Sequence, residues 1–499
     1  MRFMKKLFTI LFLISNIFFF SLSLCSQTYK LTLSESIELA ADSSLEAFRV
    51  KNLYLASYWN YRAFRAERLP SLTFKTTPIT FNRTIDKRYD SERGMDVYVP
   101  IQSVQSWGSL SLSQNIDFTG GTFYVDTDLG FMRNFGENTY SQFTSNPVRI
   151  GYYQPLFGFN EFKWEKKIEP LKYEKARRDF LYNRETISGT VIEYFFNLAM
   201  AQTEYDMALE NAASADTLYR IGQERYKIAS VSQSDLLTLK LDVVNARNTL
   251  KNAEISLKRS MFSFASFLNL DQEAQIELTL PESPKNLFVP IDQAVQFSKE
   301  NNPDYLGFEQ ELLEAERDVD QAVKASNFEA SVSVDVGFNQ VAPQIRDVYR
   351  DLMHREVVGV DLKIPLVDWG VRKGRARMAQ NNLNVSRISI EQKRVALEQE
   401  VIMTVSDFNI QQDLMMSAEE AMDLANSAYN MTKQRFIIGK SDINSLTLSL
   451  SRQKEAQKNY ILALKEYWLS YYKIRKLTLY DFEEQKPLTF LFDEKMNLR

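Results

Sequence analysis

Two stretches of this chain repeat each other at a fixed offset, and both are too long and regular for an ordinary globule. The first opens at Pro155-Leu156-Phe157-Gly158, and Gly189 is then the only glycine before Gly222. Inside it Ile187, Val191, Tyr194, Leu198, Ala201, Tyr205, Ala208, Ala212, Ala215 and Tyr219 alternate steps of four and three. That spacing averages 3.5 residues, the seam of a helix that supercoils against a neighbour. The small residues allow close approach and the tyrosines fill gaps. A continuous helix of about 65 residues would be roughly 100 Å long. The run ends in Arg225-Tyr226-Lys227-Ile228-Ala229. Ser230 to Ser234, with Ser232 between them, read as a turn, and Ser234 or Asp235 can cap a returning helix. A very long helical hairpin is predicted over 160–268.

The second stretch opens at Pro365-Leu366-Val367-Asp368-Trp369-Gly370. It carries Ile410, Leu414, Ser417, Ala421, Leu424, Ala428 and Met431 at the same heptad spacing. It turns at Arg435-Phe436-Ile437-Ile438-Gly439-Lys440-Ser441-Asp442-Ile443-Asn444-Ser445, giving a second hairpin over 371–477. Pro155 and Pro365 are 210 positions apart, and so are Arg225 and Arg435. One offset at two markers across a whole helix argues for a duplicated unit.

Each hairpin is preceded by a segment with strand periodicity. Leu72-Thr73-Phe74, Ser109 to Ser113, Phe123 to Asp126 and Val148 to Tyr153 alternate polar and apolar, and Asp117 to Gly121 is a hairpin signal. The second half has Ser331 to Val336 and Val358 to Leu362. Ahead of these segments, helices are predicted at 35–67, with Ser34 as cap, and at 291–326. The chain thus divides into a leader over 1–25, a first repeat over 28–270 and an irregular linker over 271–290. A second repeat follows over 291–477, with a tail over 478–499. Within the repeats the β segments are 72–157 and 328–365. Leu33 to Pro155 is 122 positions and Ile291 to Pro365 only 74, so the first half carries 48 extra residues, which include the strands from Ser109 to Phe131. The fold class is mainly α with membrane β: long antiparallel coiled-coil hairpins plus amphipathic strands.

Charge and chemistry exclude several functions. Sixty Lys and Arg against 64 Asp and Glu give a net charge of −4, so no basic surface argues for nucleic acid. His354 is the only histidine, too few for a His-dependent triad or a multi-His metal centre. Gly439-Lys440-Ser441 resembles the end of a phosphate-binding loop, but Gln434 stands where that loop needs glycine and no strand precedes it. No catalytic, cofactor or metal site is expected. Arg2, Lys5 and Lys6 before the apolar run Leu7 to Leu24 have the layout of a secretory leader. Cys25, the only cysteine, ends it. It is either a lipid-modified first residue, against which Leu24 speaks, or part of the removed leader. No other apolar run can span a bilayer as a helix, so a membrane part would have to be strands. Trp107, Tyr124, Tyr152 and Tyr153 are candidates for a membrane girdle.

The chain resembles the TolC-like outer-membrane efflux family, and within it Bacteroides-like members, over nearly all of its length after the leader. The motifs are Leu31 to Ile37, Arg68-Leu69-Pro70-Ser71-Leu72, Pro-Leu at 155 and 365, Arg225-Tyr226, Arg435-Phe436 and Gly439. The resemblance implies a homotrimer in which each chain gives four strands to one barrel in the outer-membrane lipid. The helices would form a periplasmic tube, with the shorter ones stacked end to end. Partners would be a periplasmic adaptor (membrane fusion protein) and an inner-membrane transporter of the RND or ABC type. It places adaptor contact and gate at the two hairpin turns: Arg225, Tyr226, Ala229, Ser232, Asp235, Arg435, Phe436, Gly439, Ser441, Asp442 and Ser445. Asp235 matches a latching acid. Ser445 and Leu448 stand where relatives carry an acidic ring, which leaves Asp442 or Asp235 as substitutes. A reading from another class is a periplasmic coiled-coil adaptor or scaffold, but an adaptor has one hairpin where this chain has two.

Overall fold

The computed structural model describes residues 28–135, 139–228, 230–272, 274–281, 287–490 and 492. The leader, Cys25 and Ala229 lie outside these residues. After a short strand β1 (Thr28–Leu31), the expected first helix is two: α1 (Leu33–Ser43) and α2 (Leu45–Ala66). Its cap is Thr32, not Ser34. The Thr32 hydroxyl accepts from the Glu35 N–H at 3.3 Å and the Glu35 carboxylate accepts from the Thr32 N–H at 2.9 Å, a reciprocal box. Ser44 is extended and its hydroxyl accepts from the Ala47 N–H, which restarts the helix. The second half repeats the break. Asn302 is extended ahead of Pro303, which disfavours helical backbone in the residue before it, so that the predicted helix divides into α5 (Ile291–Asn301) and α6 (Pro303–Ser326).

Both hairpins form. The first is α3 (Glu161–Lys227) and α4 (Gln233–Phe267); the second is α7 (Val371–Ile437) and α8 (Ile443–Thr478). The two long helices have 67 residues each, and α3 continues through Pro170, which lies inside it. The predicted linker contains β6 (Gln275–Leu278), paired in parallel with β1.

The chain divides into two compact units. One comprises the chain through Tyr54, Arg177–Pro303 and everything from Ala396 onward. Its core is the α3 seam: Ile187, Val191, Leu198, Ala201, Ala208, Ala212 and Ala215 are buried, joined by Phe195, Phe264, Phe408, Leu464 and Ile474. Each of the larger side chains contributes about 1.5–3 kcal/mol on burial. The end-to-end stacking is visible twice. Ser43 donates its hydroxyl to the Leu268 carbonyl at the end of α4, and Asn302 donates its side-chain N–H to the Leu477 carbonyl at the end of α8. Two glutamines 210 apart hold the linker: Gln202 bonds Ile276 and Leu278, and Gln412 bonds Leu287. The described part of the tail forms a hairpin, β9 (Tyr480–Asp481) with β10 (Lys486–Pro487). It is held by a buried charge cluster. Arg475 lies 2.8 Å from Asp481 and 3.2 Å from Glu185, and Tyr471 donates to Asp481 at 2.6 Å. Burial pushes the Glu185 carboxyl up, and the Arg475 guanidinium holds it back.

The other unit, Leu55–Ala176 and Asp304–Val395, holds a six-stranded antiparallel sheet. Its strands are β2 (Ser71–Asp90), β3 (Met95–Ile116), β4 (Gly121–Asn134), β5 (Tyr140–Pro155), β7 (Glu329–Ala342) and β8 (Met353–Lys363), and they neighbour one another in that order. This sheet has six strands, where the family resemblance implies four per chain in the barrel. Ser71 and Glu329 are 258 apart, as are Leu33 and Ile291, whereas Pro155 and Pro365 are 210 apart. The strand pair β2–β5 of the first half therefore corresponds to β7–β8, and the 48 extra residues hold the hairpin β3–β4, inserted into the sheet.

The two faces of the sheet differ in chemistry. Registered neighbours on one face include Leu72 and Phe74 of β2, Leu110 and Leu112 of β3, Phe123 and Val125 of β4, Ile150 of β5, Val334 and Val336 of β7, and Val358 and Val360 of β8. Most of these are exposed, Phe74 at 67% and Val358 at 72%. The opposite face carries Thr73, Ser109, Ser111, Ser113, Asp126, Arg149, Asp335, Ser333 and Arg355. Trp107, Tyr124 and Tyr153 share that polar face, so of the four proposed girdle aromatics only Tyr152 lies on the apolar one. Among the described residues no helix is long and apolar enough to cross a membrane.

Candidate functional site at the hairpin tips

Both hairpins turn by the same helix-ending chemistry. In the second, the Lys440 N–H reaches back to the Arg435 carbonyl at 2.8 Å and the Gly439 N–H to the Phe436 carbonyl at 3.0 Å. This paired closure needs a left-handed residue, which Gly439 supplies at φ +80. The first turn has the same outer bond, from the Ser230 N–H to the Arg225 carbonyl at 2.9 Å. The returning helices are capped by side chains. Ser232, not Ser234 or Asp235, is the cap of α4. Its hydroxyl accepts from the Asp235 N–H at 3.1 Å and donates to the Asp235 carboxylate at 2.7 Å. In α8, Asp442 accepts from the Ser445 N–H at 2.7 Å and from its hydroxyl at 2.9 Å. Those bonds to the ionised form hold the Asp442 carboxyl below the usual carboxylate range. Asp235 and Asp442 are thus each engaged in capping their own helix, and the Ser445 side chain is engaged with Asp442.

The tips are joined by Arg225. Its guanidinium donates to the Ile437 carbonyl at 2.8 Å and the Phe436 carbonyl at 3.3 Å, and lies 5.7 Å from the Phe436 ring. These are last-turn carbonyls of α7, where a helix presents unsatisfied acceptors and the negative end of its dipole. A first-hairpin cation therefore caps the second hairpin. Phe436 is buried with Tyr429 and Leu446, and Leu218 of α3 packs on them. Tyr226, its counterpart 210 residues earlier, is 43% exposed. The Arg435 side chain is exposed and makes no hydrogen bond or ion pair among the described residues. Ser441 lies in the turn between Gly439 and the Asp442 cap. At Gly222 an added methyl would lie 2.5 Å from the Leu239 side chain, so the first hairpin uses glycine for close approach.

Behind the tips the two hairpins meet along a polar seam. Lys433 of α7 donates to the Ser214 hydroxyl at 3.0 Å and lies 3.6 Å from Glu210. A cavity of about 720 Å³ is lined by Glu204, Met207, Ser451, Lys454 and Lys458 among others, and a second of about 210 Å³ by Asn211, Leu218, Asp242, Thr447 and Lys454. Burial pulls the Lys454 ammonium below the usual lysine range and pushes the Asp242 carboxyl up. Among the described residues no cluster of His, Cys, Asp or Glu could hold a metal. Lys433, Leu218 and Lys454 were missed by sequence reading. The 210-residue offset marks which positions correspond, but only packing shows which of them meet.

A duplicated pair of long helical hairpins with an amphipathic antiparallel sheet is the architecture of outer-membrane channel-tunnels. The outer membrane efflux protein family model matches residues 294–478, within the second repeat. Solved structures share the fold across most of the chain. The CmeC outer membrane channel of Campylobacter jejuni is 14% identical with a TM-score of 0.64, covering 94% of this chain and 90% of that one. VceC, an outer membrane protein of Vibrio cholerae, is 13% identical with a TM-score of 0.61, covering 90% and 95%. The MtrE outer membrane channel of Neisseria gonorrhoeae, in its open state, is 13% identical with a TM-score of 0.57, covering 89% and 88%. Comparison with curated proteins gives no significant match.

Proposed function

We propose that this chain is the outer-membrane duct of a tripartite efflux or type I secretion system, passively conducting cargo delivered by an inner-membrane transporter and a periplasmic adaptor. The observation that carries this reading is the sheet. It has one exposed apolar face, one polar face and two unpaired outer edges, on β2 and β8. Open edges and irregular backbone cannot face lipid, so such a sheet enters a bilayer only as part of a closed barrel. A homotrimer supplies the missing partners with closed symmetry.

The helices favour the same assembly. The α7 stripe of Ile410, Leu414, Leu424 and Met431 is 52–64% exposed. So is an apolar stripe on α4, Leu237, Leu241 and Val244, at 50–60%. In the duplicated numbering these two stripes correspond to the α3 and α8 faces that meet within the chain. The α7 stripe of one copy would therefore pack on the α4 stripe of the next. Arg435 would then reach the neighbour's Tyr226 and Lys227 carbonyls, as Arg225 reaches Phe436 and Ile437. The hairpin tips would be the gate and the adaptor contact.

The test is the mass and shape of the detergent-solubilised protein, by light scattering and negative-stain imaging. A trimer with a hollow stem on the order of 100 Å, the length of the long helices, is expected. A water-soluble monomer or a solid rod would overturn the duct and bring the adaptor reading forward.

A further inference from the structure

The inserted hairpin β3–β4 is built into the sheet rather than laid against it. β3 pairs with β2 from Met95 to Ser113 and with β4 from Ser103 to Ile116, and β4 pairs with β5 from Thr122–Tyr153 to Asn134–Tyr140. The side chains of β5 are fitted to β4. Gly151 leaves room for Tyr124, whose ring would lie 2.2 Å from a methyl placed there. Arg149 of β5 forms a two-point pair with Asp126 of β4 at 2.8 and 2.7 Å, and Asn146 bonds Asp128. On the same face Arg355 of β8 lies 3.1 Å from Asp335 of β7. The apolar and polar alternation runs through β3 and β4 without a change of sides: Leu110, Leu112, Phe123 and Val125 continue the apolar face, and Ser109, Ser111 and Asp126 the polar one. A loop or plug packed elsewhere would need neither the alternation nor the matched partners.

We propose that three copies close a single barrel of eighteen strands, six from each chain, whose lumen is lined by the serine rows and the Asp126–Arg149 and Asp335–Arg355 pairs. The proposal rests on the trimeric duct and specifies its pore. Barrel diameter grows roughly linearly with strand number, so eighteen strands give about 1.5 times the diameter of twelve. With strands about 4.8 Å apart and tilted about 40°, that is about 36 Å between backbones. Barrels of 16–18 strands leave an aqueous channel. The membrane part would not sieve cargo, and selection by size falls to the helical tips. Paired acids and bases in the lumen suit bulky polar cargo of either charge.

Two measurements test it. Averaged end views by electron microscopy should show a trimer with a barrel about 36 Å across. A trimer with a barrel two-thirds as wide overturns the proposal while leaving the duct intact, whereas absence of a trimer overturns the duct itself. Cysteine pairs then locate the closing edge. Leu72→Cys or Phe74→Cys on β2, combined with Val358→Cys, Val360→Cys or Leu362→Cys on β8, should give oxidised dimers and trimers on a non-reducing gel. Cross-links from β8 to Val125→Cys on β4 instead would show β2 and β3 displaced from the barrel and would overturn it. Deletion of residues 91–138, the 48 of the insertion, should leave a trimer and narrow the barrel by about one third. An unchanged diameter would overturn the proposal, and if the deleted chain does not fold, the end views and cross-links still decide.

Discussion

Two faces of this molecule occupy the same place in the duplicated repeat and do opposite things. On α3 the positions Glu204, Met207, Asn211 and Ser214 line two cavities with Thr447, Ser451, Lys454 and Lys458 of α8, within one chain. Adding 210 to the first set gives Leu414, Ser417, Ala421 and Leu424; subtracting it from the second gives Leu237, Leu241, Val244 and Asn248. On the intrachain side these positions are polar except Met207, and they line two cavities. Its counterpart is apolar and exposed. The difference follows from what each contact has to survive. A covalently connected contact is held at high effective concentration and tolerates polar groups and voids. In the proposed trimer a contact between separate copies would have to overcome the entropy of association, and apolar burial would supply that.

The largest test of the comparison is to make the second face resemble the first. Leu414→Asp with Leu424→Asp places two charges in each of three proposed interfaces, where an unpaired buried charge costs several kcal/mol. We expect loss of the trimer by sedimentation or light scattering in detergent, with helix content retained. Ser214→Asp, on the equivalent intrachain face, should leave the trimer in place. If both variants remain trimeric, the α7 stripe is not the interface.

The intrachain side has a buried anchor with no counterpart among the exposed stripes. Glu185→Ala leaves Arg475 with Asp481 as its one carboxylate partner in a buried site, and breaking such a pair costs about 3–5 kcal/mol. Thermal unfolding should fall by several degrees. The tail hairpin, which Asp481 holds, should become sensitive to protease before the rest of the chain. A change limited to the surface range of about 0.5 kcal/mol would show that the cluster contributes little.

At the tips the comparison separates two arginines at equivalent positions. Arg225→Met removes charged hydrogen bonds to two α7 carbonyls, interactions worth about 1.5–3 kcal/mol when shielded and less at this partly exposed site. Amide exchange near 436–446 should rise even in a monomer. Arg435→Met should change exchange only in the trimer, near 226–235, because its proposed partner is another copy. Equal effects in the monomer would contradict that assignment.

Much of this was legible in the sequence because heptad spacing and a fixed repeat offset both report on long helices. In the α3 seam Ile187, Val191, Leu198, Ala201, Ala208, Ala212 and Ala215 are buried as read, while Tyr194, Tyr205 and Tyr219 are only half-buried. The α7 seam had identical spacing and lies exposed, because periodicity identifies an apolar stripe and not what covers it. In α7 the chain's own core uses Val401, Phe408, Met415 and Tyr429 instead, a second stripe on the same helix. The break at Ser44 was missed because a short polar residue inside a helical pattern is a weak signal until a neighbouring helix end docks on it, whereas the break at Asn302 carried a sequence signal in Pro303. The six-strand sheet was hidden because the excess in the first half gave no sign of where its strands would pair. At the tips, Asp235 and Asp442 drew attention as acids, while the bonds between hairpins come from Arg225, whose acceptors are backbone carbonyls that no side-chain pattern reveals.

The smallest effect sharpens the comparison from inside the intrachain seam. Lys454 lines both cavities, and burial depresses its pKa without an ion pair among the described residues to offset it. A lysine whose folded pKa is lowered destabilises the fold below that pKa, where both states are charged. The penalty fades as pH rises toward the unfolded value of about 10.4. The seam should therefore tighten between neutral pH and pH 10, measured as slower amide exchange in 447–458 after correction for the intrinsic pH dependence. Lys454→Met, which makes the position resemble Val244 of the exposed stripe, should remove that dependence and raise stability by no more than about 1 kcal/mol, since the ammonium is partly hydrated. A loss of stability in Lys454→Met would mean that the polar seam is held by its lysine rather than weakened by it.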